Sequence, residues 1–177
     1  INPTGKALMK QALQNSDLDY ILTEGIAQQD CGAHVLDVNV SLPEINEPVM
    51  LDAVIQKLQT VTDLPLQIDS VDPAALEIAL RHYNGKALVN SVNGSAKSIA
   101  AVFPLIKKYG GVVIALTLDE TGIPVTASGR LHIAEKILNA ASQYGIESKN
   151  IIFDPLALAA STFSNAANVT LEALRLI

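Results

Sequence analysis

Short apolar runs alternate along this chain with longer segments in which apolar residues recur at the helical period. The runs are rich in Val, Ile and Leu at successive positions, which is typical of parallel strands buried on both faces. They occupy residues 33–40, 64–70, 86–92, 111–118 and 150–156. The pattern therefore predicts five parallel β-strands.

Helical segments fill the intervals between these runs. Apolar residues that share one helical stripe predict a helix over 51–61, and capping residues predict three more, over 72–84, 95–109 and 128–145. The expected N-caps are Asp72, which precedes Pro73, then Ser95 and Ser128. Residues 4–30 predict two helical pieces that break near Asn15. A last helix is predicted from residue 169 to the end.

Regular alternation of strands and helices predicts a parallel sheet with right-handed crossovers, as either an open doubly wound sheet or a closed barrel. No phosphate-loop glycine motif favours the open sheet. Polar residues at the carboxyl ends of the strands favour the barrel, because those ends converge on one mouth. They are Asp37, Asn39, Asp69, Asn90, Thr117, Asp119 and Asp154.

Asp and Asn residues after strands often do no more than cap the next helix or close a turn. Their recurrence after every predicted strand argues for more than turn chemistry. Acid and amide groups at five strand ends suit a neutral ligand rich in hydrogen-bond donors better than a phosphate. The strand ends are therefore the predicted binding site.

The number of strands predicts an incomplete barrel. A complete (β/α)8 TIM barrel takes about 250 residues and eight strands. This chain has 177 residues and five predicted strands, or six if Ile1 and Asn2 end a first one. We expect a single α/β domain over residues 1–177 whose first strand is clipped and whose last two strands are missing.

Composition narrows the possible partners. The net charge is -6 and the cations are scattered, which excludes an extended nucleic-acid surface. No apolar run is long enough to cross a membrane and no signal-peptide pattern begins the chain, so we expect a cytoplasmic protein. Cys31 is the only cysteine and is predicted to be a small buried residue. Cys31 and His34 would supply only two of the four ligands of a structural zinc, so no metal site is predicted.

Six motifs in order resemble a known superfamily. They are INPTGK (1–6), LDVNV (36–40), QIDS (67–70), LVNS (88–91), LTLDETGIP (116–124) and IIFDP (151–155). Together they resemble the pterin-binding barrels, which include dihydropteroate synthases and methyltetrahydrofolate:corrinoid methyltransferases. The first motif is similar to the end of the methyltransferase G-E-R-I-N segment without its G-E-R. The resemblance runs along essentially the whole chain.

The methyltransferase branch is the more similar one. Dihydropteroate synthases carry N-x-T-x-D-S-F after the first strand and D-I-G-G-x-S-T-R-P after the second, whereas this chain has NPTGKAL and DVNVSLPE. Within this branch, the INPTG and LDVNV motifs resemble the folate domain of cobalamin-dependent methionine synthases more than the free-standing acetogenic methyltransferase. The resemblance implies transfer of the methyl group of methyltetrahydrofolate to cob(I)alamin, with the cobalamin held by a separate corrinoid domain or protein.

The same resemblance implies roles for individual residues. Asp69, Asn90 and Asp154 would be the catalytic residues that hold the pterin. Asp154 would bind the amino-pyrimidine edge, and Asp69 with Asn90 the neighbouring ring nitrogens. Asn2, Asp37 and Asn39 would line the same mouth and orient the substrate.

Other functions stay open at this stage. One alternative is a dihydropteroate synthase-like pterin enzyme, and another is a non-catalytic docking fragment for a corrinoid domain. A Schiff-base aldolase would need a lysine at a strand's carboxyl end, but Lys86 lies at the start of its strand. The methyltransferases also use an asparagine in a later G-x-S-N motif that this chain lacks, so the fragment alone is expected to be almost inactive. A homodimer is left open as well.

Overall fold

The computed structural model describes residues 1–159 and 165–177. Strands and helices follow one another in the predicted order. The described elements are α1 (Ala7–Gln14), α2 (Leu18–Asp30), β1 (Leu36–Val38), α3 (Glu47–Leu58), β2 (Leu66–Asp69), α4 (Pro73–His82), β3 (Leu88–Asn93), α5 (Ala96–Tyr109), β4 (Val112–Leu116), α6 (Ala127–Tyr144), a 3-10 turn (Ser148–Asn150), β5 (Ile151–Asp154) and α7 (Ala166–Leu176).

The described residues form two compact units. Unit 1 comprises Ile1–Asn90 and Tyr109–Gly111, and unit 2 comprises Ser91–Lys108 and Val112–Ile177. In unit 1, β1 pairs with β2 and β2 with the start of β3, always in parallel. In unit 2, β4 and β5 pair in parallel. The prediction of a single domain over 1–177 stays a prediction.

The strands of unit 1 have one buried face and one half-buried face. Leu36, Val38 and Ile68 are fully buried, whereas the residues that alternate with them, Asp37 and Asp69, are half-buried. Alternate side chains of a strand point to opposite faces, so apolar and polar positions separate cleanly. The apolar side contains the core, together with the buried faces of α3 and α4, which pack against each other.

The strands of unit 2 also have one buried face, and their opposite face is more apolar than that of unit 1. Val113 and Ala115 of β4 are fully buried. On the opposite face, Ile114 lies beside Ile152 and Leu116 beside Asp154. Ile152 is 47% exposed, so this face of the strand pair is open within the described structure.

Two of the three predicted helix caps are confirmed. Asp72 accepts a hydrogen bond from the Ala74 amide at 2.9 Å, and Ser95 accepts one from the Ser98 amide. The prediction for Ser128 is wrong, because Thr126 caps α6 by accepting from the Gly129 amide. The extended backbone of Thr126 brings its hydroxyl over the first turn, so the helix starts before Ser128.

Further differences concern exposure and element ends. Cys31 is exposed, not buried, because it is the residue that ends α2 at the surface. The last helix begins at Ala166, three residues before its predicted start. Within the described residues, no helix combines the length and the apolar character that a membrane crossing requires.

The backbone of Ile1 is hydrogen-bonded to β1 and to the residue that follows it. Its ammonium group donates to the Asp37 carbonyl at 2.8 Å, and its own carbonyl accepts from the Asn39 amide at 2.9 Å. These two bonds follow the pattern of adjacent parallel strands. They agree with the expectation that Ile1 and Asn2 end a further strand.

Candidate functional site

Four of the predicted site residues come together on the half-buried strand face of unit 1. Asp37 lies on β1 and Asn39 just beyond it, while Asp69 ends β2 opposite Asn90 of β3. The parallel register brings the polar ends of successive strands side by side. We call Asp37, Asn39, Asp69 and Asn90 the acid-amide cluster.

Hydrogen bonds between amides and carboxylates hold this cluster. The Asn39 Nδ2 donates to Asp69 Oδ2 at 2.9 Å, and the Asn90 Nδ2 lies 3.5 Å from Asp37 Oδ1. Gln67 Nε2 donates to the same Asp37 oxygen at 2.5 Å. A carboxylate can accept about four hydrogen bonds, so these contacts orient both acids while leaving them capacity to accept more. The cluster is therefore suited to a ligand with N–H donors.

Asp69 is the titratable group that its surroundings perturb most clearly within the cluster. Burial raises the pKa of Asp69, the hydrogen bond from Asn39 opposes that rise, and the nearby charges of Asp37 and Glu47 add to it. Glu47 opens α3 and accepts a hydrogen bond from the buried hydroxyl of Ser70. Asp69 therefore binds a proton more readily than an exposed aspartate does.

Asn2 has a local role in the structure. Its Oδ1 accepts from the Thr4 amide at 2.8 Å, within the turn that leads into α1. Short polar side chains commonly close turns in this way. The observed bond is therefore the one that turn chemistry alone would produce.

Asp154 lies in unit 2, at the end of β5. Its Oδ1 accepts from the Leu156 amide at 2.7 Å, and its carbonyl accepts from both the amide and the hydroxyl of Thr117 at 3.1 Å. The side chain is half-buried beside Leu116 on the open face of the strand pair. One carboxylate oxygen is thus bonded to the turn that follows the strand.

The remaining polar residues at strand ends serve local structure. Thr117 is fully buried, and its amide and hydroxyl donate to the Asp154 carbonyl. Asp119 accepts from the amide and the hydroxyl of Thr121 at 2.9 and 2.7 Å, and lies 3.6 Å from Lys136 Nζ. These bonds to Thr121, followed by the charge of Lys136, hold the pKa of Asp119 below its ordinary value. Asp119 is therefore a turn-closing residue.

Four residues were not predicted from the sequence: Gln67, Glu47 and Ser70 near the acid-amide cluster, and Arg130, which donates to the Pro155 carbonyl in the turn after Asp154. Gln67 could have been found, because it lies two residues before Asp69 and so shares its strand face. The pairing of Glu47 with Ser70 had no such signal, since it depends on where α3 begins. Arg130 had no such signal either, because an arginine in the first turn of a helix is usually exposed to solvent.

The described residues contain no cluster of side chains suited to a metal ion. Within 1–159 and 165–177, no group of three or more His, Cys, Asp or Glu side chains is placed to hold a metal ion. The acid-amide cluster brings only two carboxylates together with amides.

Comparison with known proteins identifies the family. The sequence model of the protein family described as pterin binding enzymes matches residues 1–176. The chain belongs to this family. This confirms the superfamily that the six sequence motifs resembled.

Curated relatives of this pterin-binding domain are named methionine synthase and methylcorrinoid:tetrahydrofolate methyltransferase. The chain is 29% identical over 184 residues to a methionine synthase of Mycobacterium tuberculosis, covering 98% of this chain and 15% of that protein. It is 30% identical over 158 residues to a methylcorrinoid:tetrahydrofolate methyltransferase of Eubacterium limosum, covering 88% of this chain and 58% of that protein. The chain thus spans less than two thirds of either relative.

Solved structures confirm the fold class. A dihydropteroate synthase from Stenotrophomonas maltophilia, with imidazole bound in its active site, matches with a TM-score of 0.66 at 22% identity. The match covers 89% of this chain and 61% of that one. The described residues thus form an incomplete α/β barrel, with five of the eight strands of a full one.

Proposed function

We propose that this chain binds methyltetrahydrofolate and transfers its methyl group to cob(I)alamin held by a separate corrinoid domain or protein. The acid-amide cluster at the strand ends is the observation that carries the proposal. Membership of the pterin-binding family supports it, as do relatives named methionine synthase and methylcorrinoid:tetrahydrofolate methyltransferase. A cytoplasmic location belongs to the same proposal.

Asp154, Asp69 and Asn90 are the proposed binding residues. The pterin edge carries an amino group and ring N–H donors, which carboxylate and amide oxygens accept. Asp154 would bind the amino-pyrimidine edge, and Asp69 with Asn90 the neighbouring ring nitrogens. Asp37 and Asn39 would act by orienting Asn90 and Asp69, to which they are hydrogen-bonded. Asn2 has the weakest support, because its observed bond closes a turn.

The proposed reaction explains why acids are useful here. The bond between the methyl carbon and the pterin nitrogen breaks as the corrinoid, when bound, supplies the nucleophile. That nitrogen leaves well only when it carries positive charge, so it must gain a proton. Carboxylates close to the pterin stabilise this charge electrostatically. The ionised Asp69 fits this task, because it is half-buried and water therefore screens its negative charge less than that of an exposed aspartate.

Calorimetric titration of the full-length protein with methyltetrahydrofolate tests the proposal. Asp154→Ala should weaken binding by roughly tenfold or more, since it removes a charged acceptor from buried N–H donors. Methylation of cob(I)alamin, followed by its absorbance, should slow in the same variant.

The matched control is Glu135→Ala, which removes an exposed carboxylate from α6 in the same unit. It should leave both affinity and rate unchanged. Equal affinity of the wild type and Asp154→Ala would remove Asp154 from the site. Tight pterin binding without any methylation of cob(I)alamin would contradict the proposed reaction.

A further inference from the structure

Arg130 is a fully buried cation in the first turn of α6, with a relative exposure of 0%. Its Nη1 donates to the carbonyls of Pro155 and Leu156 at 2.7 and 2.8 Å, and to the Thr170 hydroxyl at 3.1 Å. Its Nε donates to the Pro124 carbonyl at 3.1 Å. One side chain therefore joins α6 and α7 to the turn that follows β5.

That turn is strained at Leu156. Its φ of 63° lies in the left-handed region, which is unfavourable for a residue with a side chain. Such a conformation persists only where its surroundings enforce it. The amide of this same residue donates to Asp154 Oδ1 at 2.7 Å. The backbone of Leu156 therefore sets the orientation of the Asp154 carboxylate.

Thr170 completes the support from α7. Its hydroxyl oxygen accepts from Arg130 and lies 3.3 Å from the Leu156 carbonyl and 3.2 Å from that of Ala166. The Leu156 carbonyl is thus approached by both the guanidinium and the hydroxyl. These contacts oppose rotation of the Leu156 peptide out of its strained conformation.

Burying the charged side chain of Arg130 costs more free energy than stabilising a turn requires. Burial lowers the pKa of Arg130, yet a guanidinium remains charged in proteins. The hydrogen-bond acceptors of the guanidinium are backbone carbonyls and one hydroxyl. Within the described residues, its Nη2 is buried without a hydrogen-bond partner. Buried charges and unsatisfied donors reduce stability. The arrangement is better explained by control of geometry than by stability.

We propose that Arg130 and Thr170 are positioning residues for Asp154. They hold Leu156 so that its amide fixes Oδ1, which directs Oδ2 toward the amino-pyrimidine edge of the pterin. This inference rests on the proposed function, in which Asp154 binds that edge. The two residues touch the turn and not the ligand, so their effect on binding passes through Asp154.

A double-mutant cycle in the full-length protein tests this coupling. Thr170→Val removes the hydroxyl at nearly constant shape, and Thr170→Ser retains it as the matched control. Affinity for methyltetrahydrofolate is measured by calorimetry in the wild-type and Asp154→Ala backgrounds. Thr170→Val should weaken binding roughly fivefold in the wild-type background and not at all in Asp154→Ala. Thr170→Ser should stay within about twofold of its parent in both.

A second readout follows the turn itself. The Leu156 amide proton should move upfield in the NMR spectrum of Thr170→Val, because its bond to Asp154 weakens, and stay in place in Thr170→Ser. This measurement also decides the matter if Asp154→Ala binds too weakly for the cycle. Arg130→Lys should have a larger effect, since one ammonium cannot span the carbonyls that the guanidinium fork reaches.

The inference is overturned if Thr170→Val binds as the wild type does, if its loss is equally large in Asp154→Ala, or if the Leu156 signal stays unmoved. The proposed function fails in a different way. In that case Asp154→Ala itself would bind methyltetrahydrofolate with wild-type affinity, whatever Thr170 does.

Discussion

Asp69 is subject to two opposing requirements. Its burial raises the pKa, so the ionised form is less favourable in the folded protein than in the unfolded chain. The stabilisation linked to its proton is complete below the ordinary aspartate pKa of 3.8 and is lost as the pH rises through the higher pKa of the folded protein. At neutral pH the ionised side chain therefore reduces stability. We attribute its presence to ligand binding.

Asp69→Asn should accordingly stabilise the protein while it weakens pterin binding. The asparagine retains an oxygen that can accept from Asn39 but carries no buried charge. We expect the melting temperature to rise by about 2 °C at pH 7 and the gain to vanish toward pH 4. Calorimetric scans across this range, with methyltetrahydrofolate titrations at pH 7, measure both effects.

Asp119→Asn is the control of opposite sign. The pKa of Asp119 is lowered, so its ionised form stabilises the fold at neutral pH and that contribution is lost as the pH falls through its folded pKa. Asp119→Asn should lower the melting temperature at pH 7 and not at low pH. A fall at pH 7 in both variants would contradict the account of Asp69.

The four residues of the acid-amide cluster could be predicted to lie together, while their role in ligand binding stays a prediction. Asp37, Asn39, Asp69 and Asn90 follow from alternation along each strand and from the parallel register. Arg130 could not be predicted, because its burial depends on α7 and on the turn after β5, which are distant in sequence. The role of Asp154 in pterin binding stays a prediction.

At the scale of elements, the capping residues explain where helices begin. Asp72 caps α4 with its carboxylate, ahead of Pro73, whose ring already fixes a helical φ. Asp72→Ala should cost about 1 kcal/mol of unfolding free energy. Urea denaturation measures this, and Asp72→Asn should retain most of the stability because its amide oxygen can still accept from Ala74. An equal loss in both variants would show that the cap bond is not responsible.

The order of the elements was predictable, but their ends were not. Apolar periodicity placed each strand and helix, because burial of one face decides the element type. The ends depend on single hydrogen bonds, as Thr126 shows by capping α6 ahead of Ser128. The strand predicted over 33–40 narrows to Leu36–Val38 because pairing with β2 covers only those residues.

At the scale of the molecule, the prediction of a barrel fold rested on one regularity of the sequence. Polar residues recur at the carboxyl ends of apolar strands, and the family match over residues 1–176 agrees with it. The division of the described residues into two compact units was not predicted. Apolar periodicity reports which face of an element is buried, and it carries no information about how contacts are distributed among elements. The polar composition of residues 161–170 predicts a loop that is mobile or covers the mouth, but α7 begins within this stretch, at Ala166. Residues 160–164 lie outside the described part of the chain.

A crystal structure of the full-length protein with methyltetrahydrofolate bound tests the central claim most directly. The account predicts the amino-pyrimidine edge within hydrogen-bond distance of Asp154, and the ring nitrogens beside Asp69 and Asn90. A pterin bound elsewhere would contradict it, for example in the groove between α5 and α6 that His132, Lys136 and Tyr144 line.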